Sequence, residues 1–321
     1  MLDYSDYSTM INELEDTQSD EQPLREQSRE QHEFVEKKDG MWDPDVWRKM
    51  SGRPRMTYDQ TTPIRNQVAG ELEQADFDIK VRPAGGDATK ELAKLRDGII
   101  RNIENMSNAV EIFNHASRAN ITAGIDGCRV VTEFVESDSF DKDLLIVPLT
   151  NFLNRVWYDR TSEKQDRSDA DFCWDIQSIP KHEYDKQWPK GSGTSVSTVQ
   201  VRSDRRLDEV VIGEFLYKKP VDIEIVQMSD GKVYMADKYE PVKDELEAQG
   251  ITETDRRTRK GHLVYSRMFD GSDWLEDEVD TIFEWLPIVP IYGNFRIDED
   301  NKPVYYGIVR NLMDPQRAVN Y

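Results

Sequence analysis

The side chains that could hold a metal ion are dispersed along this 321-residue sequence. No two of its four histidines have the i, i+3 or i, i+4 spacing that places both imidazoles on one helix face, and its two cysteines stand alone; they are His32, His115, His182, His262, Cys128 and Cys173. A zinc site needs three or four such ligands in one place. The sequence therefore predicts surface or partly buried histidines, no metal site and no cofactor.

Two short segments superficially resemble ligand-binding loops. Segment 191–197, which follows Lys190, is rich in glycine and serine but lacks the Gly-Lys-Ser/Thr ending whose lysine reaches a phosphate, so it predicts a flexible linker. Asp298 and Asp300 begin like a calcium loop, yet Lys302 stands at a liganding position and the required glycine is absent. We interpret this second segment as a hairpin turn.

Carboxylates could act in pairs as general acid and base, and the chain has 63 of them. The candidate pairs are Asp138 with Asp141, Asp169 with Asp171, and Glu276 with Glu278. Such pairs are expected by chance here, and catalysis needs at least one carboxylate desolvated by apolar surroundings, which a sequence cannot show. No Gly-x-Ser-x-Gly segment is present for a serine nucleophile. The sequence predicts no catalytic residue and no enzyme.

The composition excludes several classes of protein. With 42 basic and 63 acidic residues the net charge is −21, and the mean hydropathy is −0.76. The longest strongly apolar run, 282–292, contains Glu284 and two prolines and is shorter than the ~20 residues of a membrane-spanning helix, which argues against a membrane protein. An isoelectric point near 4.7 argues against a surface that grips nucleic-acid phosphates everywhere. An aromatic content of 10% suffices for a folded core.

Cellular location and domain number can be bounded in the same way. Two cysteines cannot form a disulfide framework, so we expect a reducing cytosolic environment. Met1 is followed at once by Asp3 and Asp6, which is unlike a secretory leader. The length predicts one to three domains.

One basic cluster stands out in this acidic chain: Arg256, Arg257, Arg259 and Lys260. It could contact phosphate or an acidic partner. It could instead compensate the carboxylates just upstream, which are Glu245, Glu247, Glu253 and Asp255. We favour local compensation.

The first forty residues differ from the rest, with 12 acidic and 4 basic side chains and few large apolar ones. Such a stretch buries too little surface to fold alone. The sequence predicts either a disordered arm or a helix that becomes ordered only against a partner.

Helical signals follow. Asp43 can cap a short helix that has Pro44 at its first position, and a second helix should begin at residues 62–63. Apolar residues at steps of three or four then predict one long helix over residues 92–123, ended by Gly124.

Short elements lie between these helices. Residues 78–82 alternate like a strand, Gly85 and Gly86 suggest a turn, and Asp87 is a candidate N-cap.

Beyond Gly127 the hydrophobic period changes to two. We predict strands at 128–135, 144–147, 155–158, 172–179, 210–217, 262–269, 287–295 and 304–306. Short helices at 180–188 and 241–249 interrupt them. Helices followed by mainly antiparallel strands indicate an α+β fold. The predicted parts are an acidic arm (1–40), a helical part (41–127), a β-rich part (128–307) and the start of a helix that leads into a missing C-terminal portion (308–321).

Six segments in order resemble the portal proteins of short-tailed double-stranded DNA phages, the podovirus-type portal family. They are Arg53-Pro54-x-Met56-Thr57 with Ile79-Lys80-Val81-x-Pro83; Gly124-x-x-Gly127-Cys128-Arg129-Val130; Asn154 to Asp159 with Ser168 to Phe172; Pro287-Ile288-Val289-Pro290-x-x-Gly293; Tyr306 to Arg310; and Asp314-Pro315-Gln316-Arg317-x-x-Asn320. Each segment alone is weak, but their order along the chain is fairly specific.

The resemblance implies a non-catalytic ring, usually of twelve subunits, at the unique capsid vertex of the virion. Double-stranded DNA would pass through its channel during packaging and ejection, without sequence specificity. The implied partners are the terminase large subunit, tail adaptor proteins, and the major capsid and scaffolding proteins, with assembly in the host cytoplasm. The matching segments would lie in the peripheral wing, and in the family the final helix leads into further helices. We therefore expect a truncated portal, and a monomer or weak assembly from residues 1–321 alone.

The negative charge of the chain is consistent with a channel for DNA. Each phosphate contact by lysine or arginine would add affinity and retain the DNA, and an acidic subunit makes few such contacts. In such a ring the 256–260 cluster could meet an acidic face of a neighbouring subunit, and its reversal to glutamate would then impair assembly. One alternative is another virion adaptor or scaffold component without a channel. A less favoured alternative is a carboxylate-dependent hydrolase or nuclease.

Overall fold

The computed structural model describes residues 6–37, 39–54, 56–75, 79–84, 89–135, 138–197, 208–248, 250–299 and 302–320. Its helices are α1 (Tyr7–Glu36), α2 (Pro44–Lys49), α3 (Thr61–Gln74), α4 (Lys90–Ser107), α5 (Ala109–Ala123), α6 (Phe152–Arg155), α7 (Lys181–Gln187), α8 (Ala236–Tyr239), α9 (Lys243–Ala248) and α10 (Val309–Asn320), with a 3-10 turn at Glu240–Val242. In this part of the chain, no helix combines the length and apolar composition needed to cross a bilayer.

The strands are β1 (Ile125–Phe134), β2 (Lys142–Pro148), β3 (Val156–Tyr158), β4 (Phe172–Pro180), β5 (Glu209–Met228), β6 (Val233–Met235), β7 (Glu253–Phe269), β8 (Val279–Asp280), β9 (Ile288–Tyr292), β10 (Asn294–Ile297) and β11 (Pro303–Tyr306). They pair antiparallel in a three-stranded sheet (β2-β1-β9), a six-stranded sheet (β3-β4-β5-β7-β8, with β6 beside β5) and a β10-β11 hairpin. The α+β prediction is confirmed, while the division into domains stays a prediction.

Two predicted helix starts are confirmed by their hydrogen bonds. The Asp43 carboxylate accepts the backbone N–H groups of Asp45 (2.8 Å) and Val46 (3.2 Å) at the start of α2. At the start of α3, the Asp59 carboxylate accepts the N–H of Thr62 at 2.8 Å. Side chains that are close in sequence thus fix both starts.

The prediction of a single long helix over residues 92–123 is wrong, because α4 and α5 are separated at Asn108. This residue has a left-handed backbone (φ 51°), which asparagine tolerates better than most residues. The Ser107 hydroxyl accepts the N–H of Ile146 at 2.8 Å, so the end of α4 is tied to β2 while α5 packs on β1. The apolar spacing continues across the break and therefore does not reveal it. Gly124 ends α5 as predicted.

Most of the acidic N-terminal segment is a helix that packs on its own chain in the structure. Residues 7–36 form α1, whose Met10 and Leu14 are fully buried against the body of the same chain. The body supplies the apolar surface that the segment lacks on its own, which is why composition alone suggested disorder.

At β4 both faces of the six-stranded sheet are covered, and side chains alternate between the two faces along the strand. On one face, Met10 and Leu14 of α1 pack in the same cluster as Trp174. On the other face, Cys173 shares a cluster with Ile125 of β1. The larger sheet therefore lies between α1 and the three-stranded sheet, on which α4 and α5 pack.

Three other predicted features can be compared with the structure. Segment 191–197 is not a flexible linker, because Val196 is fully buried and its N–H donates to the Val211 carbonyl at 2.9 Å. Residues 79–82 form no strand, and the turn at residues 85–86 and the cap at Asp87 lie outside the described residues. The predicted hairpin turn near Asp298 is confirmed by the pairing of β10 with β11.

We expect Leu14→Ala to lower the free energy of unfolding by about 2–5 kcal/mol, because it leaves a cavity between α1 and the larger sheet. The matched control is Leu95→Ala on α4, where the leucine is 62% exposed, and its effect should stay within about 0.5 kcal/mol. Urea denaturation of both variants measures the difference. Equal stability of the two variants would contradict the packing of α1.

Candidate functional site

The residues that could hold a metal ion stay apart in the structure. Within the described ranges, no group of three or more His, Cys, Asp or Glu side chains is arranged to hold a metal ion. His182 is exposed on α7, and His262 packs edge-on against Trp285. His115 Nδ1 lies 3.5 Å from the carboxylate of Asp126, whose pKa burial raises to about 6. This pair lacks a third ligand among the described residues.

The two cysteine thiols are free and buried. Burial raises the pKa of Cys128 to about 11 and the pKa of Cys173 well above its ordinary value. Both thiols therefore remain protonated at neutral pH, and a protonated thiol is a poor nucleophile.

The Asp169 carboxylate accepts hydrogen bonds from residues of its own loop. It accepts the Ser162 hydroxyl at 2.7 Å and the N–H of Glu163 at 2.8 Å. Burial acts to raise the pKa of Asp169, but these hydrogen bonds outweigh it and hold the pKa below its ordinary value. Asp171 is exposed, so this predicted pair does not share an apolar pocket.

The other two carboxylate pairs also lack catalytic surroundings. Asp138 and Asp141 are exposed beside the β1–β2 turn. Glu276 accepts the indole N–H of Trp188 at 2.7 Å, and Glu278 accepts hydrogen bonds from a tyrosine and a lysine of β5. These two carboxylates hold neighbouring chain segments together.

A buried ionic network joins the two sheets. Arg129 of β1 grips Glu214 of β5 with both guanidinium Nη atoms (2.5 and 2.9 Å) and lies 3.3 Å from Asp175 of β4. Arg155 approaches the same aspartate at 2.8 Å, and the Ser266 hydroxyl donates to Glu214 at 2.6 Å. Burial acts to raise the pKa of Glu214, but Arg129 outweighs it and lowers that pKa. Two cations balance two carboxylates, so the network stabilises the interface between sheets.

Arg25 of α1 is a charged side chain that is almost completely buried. Its side chain is 1% exposed, and its guanidinium carbon lies 3.4 Å from the centroid of the Trp157 ring. It donates to the main-chain carbonyls of Val156 (2.6 Å) and Leu153, and its Nε donates to Glu21 at 2.8 Å. This arginine fastens α1 to the family-like segment 154–159.

Sequence reasoning missed Arg25, because the first forty residues were interpreted by composition. A positional signal was present: the buried residues of α1 recur at helical spacing, and Arg25 occupies that same face. They are Met10, Leu14, Thr17, Gln18, Arg25, Ser28, Gln31 and Phe34.

The loop between β3 and β4 is held by its own polar side chains. The Asp159 carboxylate accepts the Thr161 N–H at 2.8 Å and the Asp171 N–H at 3.2 Å. Arg167 is buried and donates to the Tyr292 hydroxyl of β9 at 3.0 Å. The two halves of this family-like stretch, 154–159 and 168–172, are therefore neighbours in space.

Three of the glycines in the family-like segments meet at one backbone crossing. Gly124 has φ +92°, and a Cβ there would lie 2.5 Å from the backbone of Tyr306. A Cβ on Gly307 would lie 2.1 Å from a carbonyl oxygen of α5, and Gly293 donates its N–H to Gly124 at 2.9 Å. The Gly307 N–H donates to the Gln31 side chain of α1 at 2.9 Å. Only glycine permits so close an approach.

The last helix connects back to the start of the folded body. Gln316 accepts the N–H of Gln60 at 2.8 Å and donates to the carbonyl of Tyr58 at 2.7 Å. Asn320 donates to the carbonyl of Met41 at 2.9 Å. The polar residues of the Asp-Pro-Gln-Arg-x-x-Asn segment thus satisfy main-chain groups about 260 residues away in sequence.

The basic cluster lies on β7. Of its four cations, Arg256 pairs with carboxylates of its own chain, as local compensation predicts. Arg256 pairs with Glu253 as expected, at 3.0 Å, and also with Glu224 of β5 (3.3 Å) and Glu240 (3.1 Å). The remaining cations, which are exposed, are Arg257, Arg259 and Lys260.

A cleft of about 420 Å³ separates α1 from the β10–β11 hairpin, and two of its five lining cations pair with the same α1 carboxylate. Arg160 lies 3.0 Å from Glu13 and 3.5 Å from Asp20, and Lys302 lies 3.9 Å from the same aspartate. These contacts hold the acidic helix against the body.

Comparison with known proteins identifies a family and a related protein. Residues 12–321 match the family model described as phage P22-like portal protein. The chain is also similar to a curated protein named portal protein from Acyrthosiphon pisum secondary endosymbiont phage 1, with 24% identity over 331 residues that cover 98% of this chain and 46% of the relative. The chain thus spans about half the length of that relative.

We expect Arg25→Ala to lower the free energy of unfolding by about 3–5 kcal/mol, because Glu21 and two buried carbonyls lose their partner. Arg29→Ala removes the same charge one turn later, where the side chain is only partly buried, and should cost about 1 kcal/mol or less. Thermal and urea denaturation compare them. Similar losses for both variants would show that charge, and not the Arg25 contacts, fastens α1.

Proposed function

This chain belongs to the phage P22-like portal protein family, and we propose that it forms the wing part of a portal subunit. The match over residues 12–321 is the observation that carries the proposal. It is supported by the convergence of the family-like segments, since the glycine crossing and the 154–159 segment both contact α1.

In the proposed function, copies of the complete subunit close into a ring, with twelve as the proposed number, at the unique vertex of the capsid. Double-stranded DNA passes through the ring during packaging and leaves through it on infection, without sequence-specific contacts. The proposed partners are the terminase large subunit, the tail adaptor proteins, and the major capsid and scaffolding proteins, which the ring meets during assembly in the host cytoplasm.

The net charge of −21 supports a conduit. Each phosphate neutralised by lysine or arginine adds affinity through counterion release, so a cationic channel would retain DNA. An acidic subunit repels the phosphate backbone and allows the duplex to slide.

The proposed role is structural and not catalytic. Asp169, Glu276 and Glu278 are engaged in hydrogen bonds, and both thiols are protonated at neutral pH. A virion adaptor or scaffold component without a channel is the second candidate, because it too would carry an ordered acidic helix and no catalytic pocket.

Electron microscopy of the full-length gene product tests the proposal. We expect closed rings with a central hole wide enough for duplex DNA. Compact particles or open arcs without a channel would instead support the adaptor candidate. Calorimetric titration of the same sample with Mg²⁺, Mn²⁺ and Ca²⁺ should show no tight single site, and tight binding of one ion would restore the hydrolase hypothesis.

The exposed cations of the basic cluster give a separate prediction. Reversing Arg257, Arg259 and Lys260 to glutamate should reduce ring formation in native mass spectrometry, because they could no longer meet an acidic face of a neighbour. Arg256 is left unchanged, since its ion pairs lie within its own chain. The control reverses three exposed lysines near α7: Lys181, Lys186 and Lys190. Full assembly of the first variant would discard the proposed contact.

A further inference from the structure

The large apolar side chains of α4 and the start of α5 point away from the body of the protein. Six of them, with sequence steps of three, four or seven residues, are 37–71% exposed: Leu92, Leu95, Ile99, Met106, Val110 and Phe113. The residues of these helices that are buried against the body are mostly small, such as Ala93, Ala109 and Ala116. We name the six exposed residues the α4–α5 face.

Isolated apolar side chains on a surface need no explanation, but a row of six does. An amphipathic helix normally turns its large apolar residues toward its own core. Here α4 packs on β2, yet these six side chains keep more than a third of their surface exposed among the described residues.

A second exposed apolar surface lies at the opposite edge of the same sheet. In the strand order β2-β1-β9, α4 packs on β2, whereas Val289 belongs to β9. Trp285 (56% exposed) and Val289 (42%) form what we name the β9 edge. A groove of about 440 Å³ is lined by Trp285 and Val289 together with Asp166 and Ser168.

The two surfaces differ in charge. Residues 90–113, which contain the α4–α5 face, carry four cations and four carboxylates, in a chain with a net charge of −21. Segment 276–284, which leads into Trp285, carries five carboxylates and no lysine or arginine. Three of these carboxylates are exposed and form no ion pair with a described residue; they are Asp277, Asp280 and Glu284. A face without net charge can approach this acidic edge without net repulsion, whereas two β9 edges would repel each other.

We propose that the α4–α5 face of each subunit docks onto the β9 edge of the next copy of this chain. The contact joins two different surfaces. Each copy therefore binds one neighbour through its α4–α5 face and the other neighbour through its β9 edge. Such a heterologous contact builds a ring when its rotation closes. The inference rests on the proposed function and assigns the surfaces through which the ring would form.

Cysteine cross-linking in the full-length gene product tests this contact. The variant Ile99→Cys/Val289→Cys places one thiol on each surface, while Cys128 and Cys173 are buried. With a short bismaleimide we expect a ladder of covalent oligomers that extends to the full ring. Ile99→Cys alone should remain single-chain, and so should the control Ile99→Cys/Lys186→Cys, whose second thiol lies on α7.

The outcomes separate this inference from the proposed function. Rings in electron microscopy without a ladder would overturn the docking inference but not the portal role. Dimers from Ile99→Cys alone would have the same meaning, because two α4–α5 faces would then contact each other. A ladder from open chains that never close would support the contact and overturn the ring. Absence of both rings and ladder would overturn both.

A second variant does not depend on cross-linking chemistry. Leu95→Glu/Ile99→Glu puts two charges into the α4–α5 face and should weaken subunit association about tenfold or more, because these side chains become desolvated on docking. Both positions are exposed in the single chain, so its fold should persist, and circular dichroism checks this. The control Val233→Glu changes an exposed apolar residue outside both surfaces. Unchanged sedimentation of the double variant would contradict the proposal.

Discussion

The burial of the Arg25 guanidinium is the interaction that fastens α1 to the rest of the protein. A buried cation is stable only where hydrogen bonds and charge replace water, and here two main-chain carbonyls, a tryptophan ring and Glu21 do so. The contact secures an acidic helix that has few large apolar residues. Arg160 adds exposed ion pairs to the same helix, but screening makes each of them weaker.

Once α1 is fixed, distant segments can meet around it. Gln31 binds the Gly307 N–H, and the crossing of Gly124 with the backbone at Tyr306 brings the end of α5 against β11. The ionic network around Asp175 then joins the two sheets from within. Several family-like segments that are weak signals individually therefore join elements that are far apart in the sequence.

Charge and apolar surface have separate roles in the proposed assembly. In the proposed ring, the negative charge of the chain would repel nucleic acid and would also make copies of the chain repel one another. Association therefore requires local surfaces that overcome the repulsion. The α4–α5 face, the β9 edge and the exposed arginines of β7 are the surfaces of this chain suited to that purpose.

The sequence by itself determined the fold class, the helix starts at Asp43 and Thr62 and the end of α5 at Gly124, because capping and alternation act between residues close along the chain. It also carried the family resemblance. Only the tertiary structure decided that α1 is ordered, that α4 and α5 separate at Asn108, and that segment 191–197 is anchored through Val196. Each of these three features depends on a partner farther away in the sequence, such as Trp174 for α1 and β2 for the end of α4. Hydrophobic spacing shows which face of a helix is apolar, but it does not show which surface that face will contact.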